Sequence, residues 1–560
     1  MSKLSKAVSE MRAENQENKA LHLDEVVENF MGGENYKLNP LDTLKMVSAS
    51  SIFGEPSYYR DSHDSNCYVY RYAKEFMDGL FAEFYKAGDG KTTTQIFTEV
   101  IDKALDFDFT ATIDFAIELR HTYNMRLNPQ VIMVRAAIHP KREAWAKENP
   151  GKFVEVENAV MSRADEPMSQ LAYYLFLNKG EKNKLPTILK KSLAKKLSGL
   201  NKYQVNKYKN AEIGMIDAVR ITHAHSEVLD ELMKTGTVTV PADAETWEQK
   251  KSRGMTWLQI LDEIDLGHMA LLRNLRNIFT EINDSDFCRK VMDVLKKGVK
   301  DGKQFPYRYW SAYKVIKESS VNCKQIILDT LEECIDISIQ NMPHLKGKTM
   351  CLSDNSGSAW TGFTSEYGST TIAEIDNLSS VITAMGSDEG YVGKFGDELR
   401  VFDVSKRNGA LTQTKEITKD HDHDVGGATE GGIWEFFKNA IDKKEHWDNI
   451  FIYSDQQAGT GGLYGTGSQC NEYRNRGYDW GNHINVFKLI QDYRKYVNPK
   501  VNVFSVQTAG YDNASIPSMS YRTALLKGWT GKELQFADAY IKNWDELEAS
   551  KKAKRVKNHQ

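Results

Sequence analysis

The chain has 560 residues, 41% of them hydrophobic and 27% charged, with a formal net charge of −4. That length is too great for one core and calls for about two or three compact units, while the near-neutral charge confines any nucleic-acid affinity to local patches. Six scattered cysteines (67, 288, 323, 334, 351 and 470) form no CxxC pair, which argues against a zinc site or a disulfide framework. The N-terminal stretch is polar, without the apolar run of a secretory signal, and no segment approaches the roughly 18 apolar residues of a membrane span, so a soluble intracellular protein is expected.

Residues 1–41 read as a polar N-terminal arm, with room for one short helix. From 42 to 342 the pattern is helical almost throughout. Apolar residues recur at three- and four-residue spacing in Phe97-Val100-Ile101-Leu105, Ile113-Ala116-Ile117-Leu119, Leu171-Tyr174-Leu175-Leu177, Leu258-Leu261-Ile264 and Ile326-Ile327-Leu331. Pro129, Pro140, Pro186 and Pro306 fall near segment starts, where proline is tolerated. Such a succession implies stacked helix pairs, although no strict repeat period is present. At Pro343 the character changes. Lys348–Leu352, Leu399–Val404, Ile450–Ser454 and Val501–Val506 read as strands, Thr370–Met385 and 433–442 as helices. Strands alternating with helices predict an α/β domain over 343–545 with a mostly parallel sheet and ligands beyond its carboxyl edge. Residues 546–560 form a basic tail, with five basic residues in the last ten (Lys551, Lys552, Lys554, Arg555 and Lys557), expected to be solvated and without fixed structure.

The α/β segment carries a pattern of hard-oxygen donors. Asp354-Asn355-Ser356-Gly357-Ser358 follows a buried strand and offers one carboxylate and two hydroxyls at alternate positions. Asp, Asn, Gly and Ser also build simple turns, so the loop alone decides nothing. Two later features add to it: Gly426-Gly427-Ala428-Thr429, which presents a hydroxyl before a helix, and Asp455, which ends an apolar strand. Magnesium favours such ligands and keeps several waters; manganese and calcium are the alternatives. In order and spacing, Asp354, Ser356, Ser358, Thr429 and Asp455 resemble the metal-ion-dependent adhesion site of the von Willebrand factor A fold. The extra Ala428 makes Thr429 the least regular of the five. A site of this kind usually binds a partner's carboxylate through its metal. His421-Asp422-His423-Asp424 reads as an exposed polar loop, with a second metal cluster as the alternative. Gln456–Asn482 and its flanks, 456–485, look like a Gly- and aromatic-rich insertion.

The helical segment carries a basic stretch. Between 179 and 209 lie ten lysines (179, 182, 184, 190, 191, 195, 196, 202, 207 and 209) and one acid, Glu181. Counterion release from a phosphate backbone is the physical use of such an excess; a solvated lysine-rich helix face is the plain alternative. Tyr203 and Tyr208 are interleaved and suit base stacking. Lys184, Lys191, Lys195, Lys196, Lys202, Lys207 and Lys209 are the candidate contacts, joined by Arg220 and His223 of the next helix. Arg273, in Met269–Asn277, either faces an interior surface or braces neighbouring helices.

Together these residues resemble the Ro autoantigen, or TROVE, family over roughly 40–530. Ser50–Tyr59 is similar to its N-terminal segment, Lys207-Tyr208-Lys209 followed by Arg220-Ile221-Thr222-His223 to its lysine and histidine motifs, Ala270–Leu275 to its A-L-L-R-N-L helix, and Phe305-Pro306-Tyr307 to its H-P-F. The resemblance implies a multidomain α plus α/β architecture: a HEAT-like helical toroid closed by a von Willebrand factor A domain, working as a monomeric ring. It implies small structured noncoding (Y-like) RNA on the basic outer surface, with Lys207 and His223 in contact positions, and 3′ ends of misfolded RNA in the hole. Asn210-Ala211-Glu212 departs from the family's basic continuation, which shifts the expected contact toward Lys202 or Lys209. The reading is of an RNA-binding scaffold. The alternative is a metal-dependent protein-interaction module with RNA incidental. Catalysis is not expected, since no G-x-S-x-G elbow, P-loop or zinc signature is present.

Overall fold

The structure is a computed structural model. It describes residues 26–28, 34–36, 40–49, 93–123, 125–178, 185–210, 213–240, 245–360, 363–365, 368–419, 424–427, 430–455, 486–508, 519–520, 522–527 and 531–557. The Ser50–Tyr59 motif, most of the N-terminal arm and the 456–485 insertion lie outside them. Two compact units form. One contains the described residues within 94–283; the other contains those within 284–557 together with those within 26–49.

The first unit is helical throughout its described residues. Helices Thr93–Phe107, Phe109–His121 and Asn128–Ile138 lead into α1 (Lys152–Val160), α2 (Glu166–Leu177), α3 (Thr187–Ser198), α4 (Lys202–Tyr208), α5 (Met215–Thr222), α6 (Glu227–Thr235) and, after two short helices, α7 (His268–Glu281). The periodic apolar residues make its core: Phe97, Val100, Ile101, Leu105, Ile113, Leu119, Leu171 and Tyr174 are buried. Leu258 is the exception. It is 46% exposed, because Trp257 and Ile260 form the buried face of their helix instead. Caps fix the starts of several helices. Asn201 and Gln204 make a reciprocal capping box at α4, and the Ser226 hydroxyl accepts from Leu229 at α6.

The second unit begins with helices, including α8 (Pro306–Glu318) and α9 (Lys324–Ser338), before its sheet. Pro306 sits in the first turn of α8, and Tyr307 is fully buried. The change from helix to strand is near Pro343, as the sequence indicates, but the compact units divide sixty residues earlier. The cause is α9, which packs on α11 (Ala410–Thr418): the Asp336 carboxylate accepts from the Ala410 amide at 2.8 Å, and Lys415 pairs with Glu332 at 3.1 Å.

Seven strands form the sheet: β1 (Leu345–Asp354), β2 (Ser387–Phe395), β3 (Leu399–Asp403), β4 (Asn449–Ser454), β5 (Asn502–Gln507), β6 (Met519–Ser520) and β7 (Thr523–Lys527). Their order is β6-β7-β5-β4-β1-β2-β3. The five from β7 to β2 run parallel, and β6 and β3 are antiparallel edges. The chain leaves β1 toward β2 and later returns to place β4 on its other side, so the crossover direction reverses between β1 and β4. Ligands in doubly wound sheets bind at that reversal, beyond the carboxyl ends.

Side chains alternate across the sheet. Met350, Leu352, Ile450, Ile452 and Val503 pack with Ile433, Trp434, Phe437, Leu489, Ile490 and Tyr493 from α12 (Glu430–Asp442) and α13 (Val486–Tyr496). On the other face α10 (Ile372–Met385) covers β1, β2 and β4, with Ile375, Leu378 and Ile382 buried. The sequence reading missed β2, where Gly390, Gly393 and Lys394 break the hydropathy. The C-terminal helix α14 (Lys532–Lys557) corrects another expectation: the basic tail is helical as far as Lys557, continuing a helix whose Leu534, Phe536, Ala537 and Trp544 are buried. The N-terminal arm holds a short hairpin (Val26–Glu28 with Glu34–Tyr36), and the helix that begins at its end, Pro40–Ala49, packs on β7 and α14. Among the described residues no helix is long and apolar enough to cross a membrane.

Candidate functional site

Asp354 ends β1 and Asp455 follows β4, so the neighbouring strands deliver two carboxylates to the point where the crossover reverses. Both are fully buried. The Asp354 carboxylate accepts from the Ser356 amide at 2.9 Å with one oxygen and from the Ser454 hydroxyl at 2.6 Å with the other. Ser358 donates to Asp455 at 2.6 Å, and the Ser356 and Ser358 hydroxyls lie 3.4 Å apart. Four of the five expected ligands therefore converge; Thr429 lies outside the described residues. Burial, and then the Asp455 charge, push the Asp354 carboxyl well above its ordinary value. Carboxylates and hydroxyls crowded in this way are the donor set that hard divalent cations prefer.

The sequence reading missed the support around these groups. The Asn355 amide donates to the Phe395 carbonyl at 2.8 Å, which ties the loop to β2. The side chains of Asn355 and Asn377 bond each other at 2.9 and 3.1 Å, and the Ser353 hydroxyl donates to Asn377 at 2.7 Å. Asn377 reaches the loop from α10, whose start is set by a capping box of Thr371 and Glu374. Next to it Asp376 is also fully buried. Burial, and then the Asp354 charge, raise its carboxyl far above the ordinary range. An adjacent Asp-Asn pair among the buried positions of this helix was the signal available in the sequence.

The Gly426-Gly427 loop is held against this centre. The Gly357 amide donates to the Gly427 carbonyl at 3.0 Å, and the Gly427 amide donates to the Asp397 carboxylate at 3.0 Å. Gly426 adopts φ +86°, and a Cβ there would collide with Asp397, so only glycine fits. Asp424, the described member of the His-Asp-His-Asp run, is an ion-pair partner: the buried Lys394 ammonium lies 2.8 Å away and Arg400 3.0 Å. Residues 421–423 lie outside the described residues.

In the helical unit, α3 buries Leu189, Ser192, Leu193 and Leu197 and turns Lys191 and Lys195 to solvent, with Lys196 half-exposed. Lys207 on α4 and Arg220 on α5 are exposed, and Lys209 is half-exposed. His223 caps α5 in the left-handed conformation (φ 60°), exposed, with the Lys190 ammonium 3.3 Å from its ring. Lys190 was not among the candidate contacts. Two expectations change. Lys202 pairs with Glu231 at 3.1 Å, so its charge is partly spent within the unit. Tyr208 is clamped: Arg163 donates to its hydroxyl at 3.0 Å and Lys207 sits over its ring, which leaves Tyr203, 57% exposed, as the ring open to stacking. Arg273 is exposed on α7, while Asn274 turns inward and bonds the Ala270 carbonyl at 2.8 Å. Lys184 lies outside the described residues.

No protein-family model and no curated protein matches the sequence. Among solved structures the chain is similar to the Ro (RSR) protein of Deinococcus radiodurans, with a TM-score of 0.57, 14% identity, and coverage of 79% of this chain and 93% of that one. The chain thus has the fold of a Ro protein, and the resemblance read from the sequence holds at the level of fold.

Proposed function

We propose that the protein is an RNA-binding scaffold rather than an enzyme. On this reading Lys191, Lys195, Lys196, Lys207, Lys209 and Arg220 hold the phosphates of a structured noncoding RNA, and His223, held by Lys190, adds a directional contact. Unpaired 3′ ends of misfolded RNA are the second expected ligand. The observation that carries the proposal is the exposure of these cations on three successive helices of a chain with net negative charge, on the fold of a Ro protein. Phosphate contacts by lysine make affinity steeply salt-dependent. The test is a gel shift with a stem–loop RNA carrying a single-stranded 3′ end, comparing the wild type with a variant changed to Gln at 191, 195, 196 and 207. The plot of log affinity against log salt should lose about three to four units of slope. An unchanged slope and affinity would remove this surface from the proposal.

We further propose that Asp354, Ser356, Ser358 and Asp455, with Thr429, hold a divalent cation, Mg²⁺ first. Their convergence at the carboxyl edge supports this second reading. A protein partner recruited there through the cation would be lost on Asp354→Ala and would survive RNase.

A further inference from the structure

Asp376 is the buried acid that neither reading uses. It stands in the second turn of α10, beside Asn377, whose side chain bonds Ser353 and Asn355 on either side of Asp354. Neither carboxylate oxygen accepts a hydrogen bond of ordinary geometry, and both are sealed from solvent. The Thr508 hydroxyl beside it is equally buried and near enough to favour the carboxylate, but it makes no hydrogen bond of ordinary geometry. Thr508 belongs to the same carboxyl edge: its amide donates to the Ser454 carbonyl at 3.1 Å, and Gln507 beside it bonds the Asp455 carbonyl at 2.8 Å. The ends of β1, β4 and β5 therefore meet under α10, and Asp376 lies close enough to Asp354 and Asp455 for their charges to act on it. A buried carboxylate without a donor is costly, and a structural cost of this size at a ligand-binding edge marks a missing positive charge.

We propose that Asp376 is a third carboxylate of the metal centre, facing a hard divalent cation held by Asp354, Asp455 and the two serines. The inference rests on the metal reading above. Among the described residues no three acidic, histidine or cysteine side chains stand close enough to ligate one ion directly. Asp376 therefore acts through a water that the ion retains, as Mg²⁺ usually does, and the Thr508 hydroxyl shares that water. One consequence concerns partners. Three carboxylates around a dication leave a net negative centre, which retains the ion and disfavours a partner's carboxylate.

The test uses the full chain, stripped with EDTA and titrated with Mn²⁺ while free Mn²⁺ is followed by EPR. Wild type, Asp376→Asn, Asp376→Ser and Asp354→Asn are compared, with circular dichroism as the control for folding. Wild type should bind one ion. Asp376→Asn and Asp376→Ser should weaken it about 10–100-fold, as loss of a water-mediated partner does. The cation-free Asp376→Asn protein should melt above cation-free wild type, because folding no longer forces a carboxyl to give up its charge on burial, and should gain less from Mn²⁺. Wild-type affinity in both Asp376 variants, with binding lost in Asp354→Asn, would overturn this proposal alone. No binding by any of the four proteins would overturn the metal reading and this proposal with it.

Discussion

Glu157 offers a quantitative test of the helical unit. It lies on α1, fully buried, and neither oxygen accepts an ordinary hydrogen bond. The nearby Gln170 amide already donates to Gln130 at 2.8 Å, while the Gln170 carbonyl oxygen lacks a donor. Burial raises its carboxyl from 4.5 to about 7, against a smaller downward pull from Gln170. The folded-state value lies above the unfolded one, so the native state holds the proton more tightly. The stabilising contribution is complete below about pH 4.5 and is lost as the pH rises through about 7. At about 1.4 kcal/mol per unit, the full loss is about 3 kcal/mol on reaching pH 8.5. Glu157→Gln keeps the shape and has no carboxyl to ionise. The variant should match wild type near pH 4.5 and exceed it by about 3 kcal/mol at pH 8.5. Hydrogen exchange read on peptides covering 152–177, corrected for intrinsic rates, isolates this unit within the full chain. Equal protection in the two proteins at both pH values would refute the reasoning, since it would mean that the Glu157 carboxylate finds a partner when ionised.

Two further predictions concern the sheet unit. Asn377→Ala removes the strut under the Asp354 loop and leaves Asn355 and Ser353 buried without their partner; a cost of about 2–3 kcal/mol is expected in urea unfolding, and a neutral result would show that the loop supports itself. Lys394→Met removes one member of a buried ion pair and leaves Asp424 with Arg400 alone. The expected loss is about 3 kcal/mol, checked by thermal melting, whereas unchanged stability would mean that Arg400 suffices to hold the Gly-Gly loop.

Much of this arrangement is legible in the sequence, for identifiable reasons. The parallel core shows because Ile450–Tyr453 and the end of β1 are continuous apolar runs, as strands covered on both faces must be. The two site aspartates show because each terminates such a run. β2 hides because its interior holds Gly393, where a Cβ would strike Leu352, and Lys394, which is neutralised by an acid thirty positions away. Asp376, Asn377 and Ser454 hide for a related reason: a polar residue inside an apolar element looks like an interruption until its partner is known. The lysine stretch errs in the other direction, since counting charges cannot reveal that Glu231, on a later helix, takes up Lys202.

The bonds that close the carboxyl edge also set an order of events during synthesis. Asp354 meets Ser454 across 100 residues of chain, and Ser358 meets Asp455 across 97. At about 5–20 residues per second, the Asp354 loop emerges from the ribosome about 5–20 s before the strand that completes it. Until β4 inserts beside β1, the loop has one acid and is held only from the side of β2 and α10. The nascent chain thus passes through a long interval as an incomplete sheet with an open β1 edge, the state in which a chaperone or a neighbouring chain has its best opportunity to pair with it.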